Sequence, residues 1–110
     1  MNVFLGVIHQ ADARIIGKYT CQDDVMNLHC QSPEAITIYR AEYSKKQASI
    51  CNRGNSAEYC GPVDKTSTVR KLCEGQMTCN ISVDKSTMGD KCPRVFKYLN
   101  VLYECSKSCC

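Results

Sequence analysis

The chain has 110 residues, ten of them cysteine, and a formal net charge of +3. That length suits one domain with a modest core, of a size that folds only marginally without covalent or metal help. The charge is small and no Lys/Arg run is interleaved with aromatic residues, which excludes a nucleic-acid surface; no apolar run approaches the roughly 20 residues of a membrane span.

Residues 1–13 are weakly patterned and are expected to be a tail or an added edge strand, with Val3 to Ile8 as the candidate segment. Its VFLGVI run is too short for a signal-peptide core and has no basic flank. Arg14 to Cys21 reads as the first framework strand, Ile16, Lys18 and Thr20 on one face and Ile15, Tyr19 and Cys21 on the other. Gln22 to Asn27 is a polar turn, Val25 to Cys30 a short strand, and Pro33 a break. Ala35 to Tyr43 is the clearest strand, carrying Ile36, Thr37, Ile38 and Tyr39 in succession. The Lys45-Lys46 pair that follows reads as solvated.

Cys51 to Pro62 is rich in Asn, Gly and Ser and reads as a loop. Asp64 to Glu74 reads as the one good helix: Asp64 or Thr66 can cap it, Val69, Leu72 and Cys73 share a face, Arg70 and Lys71 suit its C-terminal end, and Gly75 stops it. Thr78 to Val83 is a strand, and Asp84 to Lys97 a charged loop punctuated by Gly89 and Pro93. From Tyr98 to Cys105 strict alternation returns, Leu99, Val101, Tyr103 and Cys105 against Tyr98, Asn100, Leu102 and Glu104. Residues 106–110 read as a tail.

Ten cysteines in so short a chain point to a disulfide scaffold in an oxidising compartment. Zinc usually takes cysteines in close pairs, and the first eight, at 21, 30, 51, 60, 73, 79, 92 and 105, contain none. Eight cysteines allow 105 pairings, and spacing does not choose among them.

The stretch GDKCP followed by KYLNVLYEC (Gly89 to Cys105) resembles the C-terminal signature of the sea-urchin-egg-lectin type of domain, the rhamnose- or galactose-binding lectin family. The usual family form is close to G-D-P-C-x-x-x-x-K-Y-L-x-V-x-Y-x-C. A second family landmark, a strand ending in A-x-Y-G-R, is matched by AITIYRAEYSK (Ala35 to Lys45). The resemblance runs from about Tyr19 to Cys105 and places a lectin-like domain at residues 14–105. It implies an α+β or mainly β fold of antiparallel strands, one or two short helices and long ordered loops. It also implies the pairing Cys21–Cys51, Cys30–Cys105, Cys60–Cys92 and Cys73–Cys79. In the loop-entropy model the long Cys30–Cys105 closure is worth roughly 4.5 kcal/mol and Cys73–Cys79 about 2.4. Cys109 and Cys110 are left over, either as incidental tail thiols or as the link of a disulfide-bonded homodimer.

A sugar presents neighbouring hydroxyls, each donor and acceptor, so its site needs a carboxylate, an ammonium or amide, and often an aromatic face. By the resemblance, Asp90 and Lys97 stand at the family's acidic and lysine positions, and Tyr43 at the tyrosine of the A-x-Y-G-R landmark. The family's glutamate is here Gln22, which keeps hydrogen bonding and loses the charge. The asparagine of many members is Lys85, the landmark's glycine and arginine are Ser44 and Lys45, and the loop proline is Lys91. On this reading Asp90 and Lys97 are exposed loop charges, so truncating either weakens sugar binding by about 1.5–3 kcal/mol and leaves folding nearly intact.

The remaining candidates read as background. His9 and His29 each stand alone, outside any Cys–His or Ser–His–Asp arrangement. Asp23-Asp24 is a polar turn, and the isolated glycines form no phosphate loop. Asn80-Ile81-Ser82 is a glycosylation sequon. The expectation is a non-enzymatic, calcium-independent lectin without a cofactor, secreted or on the extracellular face of the cell, binding galactose- or rhamnose-type sugars on glycoconjugates. The alternative is an extracellular adhesion or receptor module that uses the same fold to bind a cell-surface protein. A weaker third reading is a secreted inhibitor or toxin-like factor.

Overall fold

The computed structural model describes residues 14–52 and 59–107. Six strands and two helices follow in the order β1 (Ile16–Cys21), β2 (Val25–His29), β3 (Glu34–Lys45), β4 (Cys60–Asp64), α1 (Thr66–Cys73), β5 (Thr78–Ser82), α2 (Lys85–Met88) and β6 (Tyr98–Lys107). β1, β6, β3 and β4 form one antiparallel sheet in that spatial order, and β2 pairs with β5 in a separate antiparallel ribbon. The fold is mainly β with two short helices.

Alternation decides which faces turn inward. On the ribbon, Met26 and Leu28 of β2 and Cys79 and Ile81 of β5 are buried, while Val25, Asn27, His29, Thr78, Asn80 and Ser82 are exposed. These four buried residues meet Leu99, Val101 and Tyr103 of β6, Ile36, Ile38, Ala41 and Tyr43 of β3, and Val69 and Cys73 of α1 in one core. Val69 and Cys73 face that core, whereas Leu72 is 44% exposed and does not share their face.

β3 is the element on which the site depends. Its buried residues are even-numbered at Ile36 and Ile38 and odd-numbered at Ala41 and Tyr43. A β-bulge between Ile38 and Arg40 makes the switch: Ile38 pairs with Tyr103 and Arg40 with Leu102, so one extra residue enters β3. Without it, the period that buries Ile36 and Ile38 would turn Tyr43 outward.

β4 pairs only with the far end of β3, so the backbone groups around the bulge need other partners. Helix α1 and the turn after it supply them. Glu74 Oε1 accepts from the Ile38 N–H at 2.9 Å, and Arg70 Nη2 donates to the Ile38 carbonyl at 3.0 Å. Thr66 Oγ1 accepts from the Ala41 N–H at 3.0 Å, and the Lys65 N–H donates to the Ala41 carbonyl at 2.8 Å. At the helix start Asp64 Oδ1 accepts from the Thr66 N–H at 2.9 Å, so Asp64 serves the first turn from just outside the Lys65 cap position. Past the helix, Gly75 takes a left-handed φ of 78° and its N–H donates to the Ile36 carbonyl.

The structure pairs Cys21 with Cys51, Cys30 with Cys105, Cys60 with Cys92 and Cys73 with Cys79. This is the connectivity the resemblance implies. Three expectations are corrected. The segment read as loop to Pro62 ends in β4, an edge strand, where a proline missing its N–H is tolerated. The charged loop contains the one-turn helix α2, capped by Asp84, whose Oδ1 accepts from the Thr87 N–H at 3.1 Å. Ser106 and Lys107 are not tail; they extend β6 by pairing with Ala35 and Glu34. The expectations for residues 1–13, and for Cys109 and Cys110, fall outside the described residues.

Candidate functional site

Gln22, Tyr43 and Lys97 meet where β1 ends, β3 nears its end and β6 begins. Gln22 and Lys97 are joined twice: the Gln22 N–H donates to the Lys97 carbonyl at 2.8 Å, and the Lys97 N–H donates to Gln22 Oε1 at 3.0 Å. The Lys97 ammonium lies 5.5 Å from the centre of the Tyr43 ring, in cation–π range. Its other contacts are backbone: Nζ donates to the Cys92 and Val95 carbonyls, both at 2.8 Å.

The loop leading to Lys97 brings in the charges. Gly89 follows α2 with φ 87°, a left-handed turn that suits glycine, and Asp90 comes next. Asp90 Oδ2 stands 3.6 Å from Lys85 Nζ, with the two side chains 50% and 74% exposed. Asp90 and Lys97 do not bridge each other directly; Asp90 acts on the ammonium through its field, opposing the burial that pulls the Lys97 pKa below the ordinary lysine value. Tyr43 is pushed up to about 12, first by burial and then by the carboxylates of Asp23, Asp84 and Asp90.

Gln22, Tyr43 and Lys97 thus form one contact network, and the exposed Lys85–Asp90 pair is joined to it only through the field of Asp90. Its floor is buried and its rim is open: Tyr43 and Lys97 are each only 2% exposed, Gln22 is half-buried, and Asp90 and Lys85 reach solvent. Lys97 is therefore not the exposed loop charge expected from its charged surroundings; it is a buried clamp on its own loop. Among the described residues no cavity is enclosed at the rim, so a ligand there lies on an open surface.

Lys45 also departs from expectation. Beside exposed Lys46 it reads as solvated, yet it is 1% exposed and its ammonium donates to the Ile50 carbonyl and, at 2.7 Å, to the Cys51 carbonyl. Burial lowers its pKa. Lys46 is solvated and pairs with Glu42 at 3.2 Å. The parallel with Lys97 is close. Cys51 and Cys92 both hold a left-handed backbone, with φ 57° and 55°, and each has its carbonyl taken by a buried lysine. Each of these cysteines is also disulfide-bonded, Cys51 to the residue preceding Gln22 and Cys92 to β4. The signal available for Lys45 in the sequence was its position in the A-x-Y-G-R landmark.

Of the other candidates, His9 lies outside the described residues. His29 is exposed, and among the described residues no group of His, Cys, Asp and Glu could hold a metal ion. Asn80 and Ser82 of the sequon are both exposed on the outer face of β5.

The result is a small antiparallel β domain, tied by four disulfides, whose charged loop leads into its last strand. The model of the D-galactoside/L-rhamnose binding SUEL lectin domain matches residues 28–105, and the chain belongs to that family. It is similar to the D-galactoside-specific lectin of Heliocidaris crassispina, 32% identical over 90 residues that cover 78% of this chain and 86% of the lectin. It is similar to the L-rhamnose-binding lectin ELEL-1 of Echinometra lucunter, 30% identical over 90 residues that cover 79% of this chain and 87% of that one. It is also 34% identical over 96 residues to protein eva-1 homolog C of Mus musculus, across 80% of this chain and 21% of that protein.

Proposed function

We propose that this domain is a non-enzymatic, calcium-independent lectin that holds a galactose- or rhamnose-type sugar on the rim of Gln22, Tyr43, Lys85, Asp90 and Lys97. One observation carries the reading. Segments distant in sequence bring an ammonium, a carboxamide and a phenol ring into contact, with the Asp90 carboxylate near enough for its field to reach the ammonium, and these are the groups a pair of neighbouring hydroxyls requires. Asp90 accepts from one hydroxyl. The Gln22 carboxamide, its oxygen held by the Lys97 N–H, donates from Nε2 to the next, above the buried Lys97 ammonium that fixes the loop. Tyr43 and Lys97 supply a floor whose shape is fixed before binding, so little ordering is needed when a sugar arrives. The relatives named for D-galactoside and L-rhamnose support the choice of sugar class. The four disulfides support a secreted or extracellular setting. Asn80, exposed on β5, is open to N-glycosylation there.

Titration with galactose, rhamnose and a glucose control, followed by amide shifts in NMR, tests the reading. Saturable shifts at Tyr43, Asp90 and Lys97 with galactose or rhamnose, unchanged by EDTA, are the expected result. No response at tens of millimolar of any sugar refutes it.

The second reading is an adhesion or receptor module that binds a cell-surface protein on the same face. It is favoured by eva-1 homolog C, in which the matched stretch is 21% of a longer chain, and by the departures at Gln22, Ser44 and Lys85. A disulfide-linked homodimer through Cys109 or Cys110 fits either reading; non-reducing electrophoresis distinguishes it from a monomer with incidental tail thiols.

A further inference from the structure

We propose that the outer face of the four-stranded sheet is a self-association surface, on which a second copy of this chain docks about a twofold axis. The proposal is independent of the lectin reading and makes no use of the rim. An antiparallel sheet with one face on a core ordinarily turns polar residues outward on the other. Here the inner face meets the β2–β5 ribbon and α1, and the outer face departs from that rule. Tyr19 of β1 is 54% exposed, Tyr39 of β3 44% and Leu102 of β6 39%.

The strand register brings these three together. Leu102 pairs with Gly17 on one side and Arg40 on the other, and the next row of the same face is Tyr19, Asn100 and Glu42. Tyr39 is the extra residue of the β-bulge, and its hydroxyl donates to Glu104, two residues along β6 from Leu102. Leu102 is therefore the middle of the patch. It lies across β1 where Gly17 has no side chain: a Cβ at Gly17 would stand 3.4 Å from Leu102 Cδ2. Toward the rim the same face is already covered, with Tyr98 and Ser44 buried beside the Cys21–Cys51 bridge.

Two features point to a like partner. The charged side chains of the face are engaged within their own chain: Arg40 Nε donates to Glu42 at 2.9 Å, Lys46 Nζ donates to the same carboxylate at 3.2 Å, and Glu104 accepts from Tyr39. They call for no opposite charge on the partner, so the face can meet its own copy, as a twofold interface requires. The second feature is the course of the chain after β6. Lys107 pairs with Glu34 at the end of the sheet away from the rim, and Cys109 follows two residues later. At about 3.3 Å per residue it lies within roughly 7 Å of the strand end, so a twofold axis there brings together the cysteines left outside the four bridges.

Sedimentation velocity of the full chain tests the proposal, with Cys109→Ser/Cys110→Ser run in parallel so that association is read without a covalent link. Both are expected to dimerise at tens of micromolar. Leu102→Glu, and separately the milder Tyr39→Ser, should weaken the dimer roughly tenfold or more, because a twofold interface meets each substitution twice. Leu72→Glu, at an exposed position of α1, should leave it unchanged. Amide shifts of the rim in the sugar titration should be the same in Leu102→Glu as in wild type. A monomer at every concentration overturns the proposal. So does a dimer that Leu102→Glu and Tyr39→Ser leave intact, and so does a dimer lost in the serine variant, which is then held by the tails alone.

Discussion

Replacing Lys97 by methionine separates a buried clamp from an exposed ligand group. Methionine keeps the length of the side chain and removes the ammonium. The Cys92 carbonyl retains the Val95 N–H at 3.0 Å, but the Val95 carbonyl loses the lysine that satisfies it at 2.8 Å. A hydrogen bond to a charged group is worth about 1.5–3 kcal/mol, and a buried polar group left unpaired costs a similar amount. Two such bonds are lost. Release from burying a charge, the cause of the lowered Lys97 pKa, returns part of the sum. A net loss of about 2–3 kcal/mol is expected. In a domain near 100 residues that lowers Tm by about 10–15 °C. Asp90→Asn is the control. Its side chain is 50% exposed with one ion pair at 3.6 Å, so its loss should cost under about 1 kcal/mol. Thermal unfolding followed by circular dichroism, with disulfides intact, gives both numbers. A Lys97→Met midpoint within about 2 °C of wild type, or an equal drop for Asp90→Asn, refutes the clamp.

The remaining expectations are shorter. With Tyr43 pushed up to about 12, the unfolded chain gives up this proton first, near 10.0, so stability should fall as pH rises from about 10 toward 12. Absorbance at the phenolate band should show one tyrosine titrating last, and its loss in Tyr43→Phe assigns it. Lys45→Met should cost about 2–3 kcal/mol by freeing the Ile50 and Cys51 carbonyls, while Lys45→Arg recovers most of that loss in chemical denaturation. Gly75→Ala meets no neighbouring atom, yet should cost about 1–2 kcal/mol because φ is 78°, with sugar binding unchanged in the same titration.

Strands with strict alternation were readable from residue order alone. From Leu99 to Tyr103, β6 buries the face its pattern predicts, while Tyr98, read on the opposite face, is buried too. Helix α1 was readable in extent, but Leu72 was not placed correctly: a helix this short buries a narrow stripe, and Val69 and Cys73 fill it. The bulge in β3 was hidden. Tyr39 and Arg40 resemble ordinary strand residues, and the partners that stabilise the irregularity, Thr66, Arg70 and Glu74, lie on an element 25 to 36 residues away. The five site residues came from the family landmarks, not from pattern. Nothing local marks Lys45 or Lys97 as buried, because each is paid back by backbone carbonyls that composition does not reveal.

Those carbonyl clamps bear on how the domain can vary. Lys97 and Lys45 hold their loops through main-chain oxygen atoms, which every amino acid possesses. The path of residues 90–95 is thus specified by groups independent of which side chains occupy it, apart from bridged Cys92 and buried Val95. Pro93 sets its own φ, whereas positions 90, 91 and 94 can be exchanged without redrawing the loop, as letters are changed in a fixed frame of type. A library randomised at these three positions, on an otherwise unaltered chain, is accordingly the natural starting point for new ligand preferences.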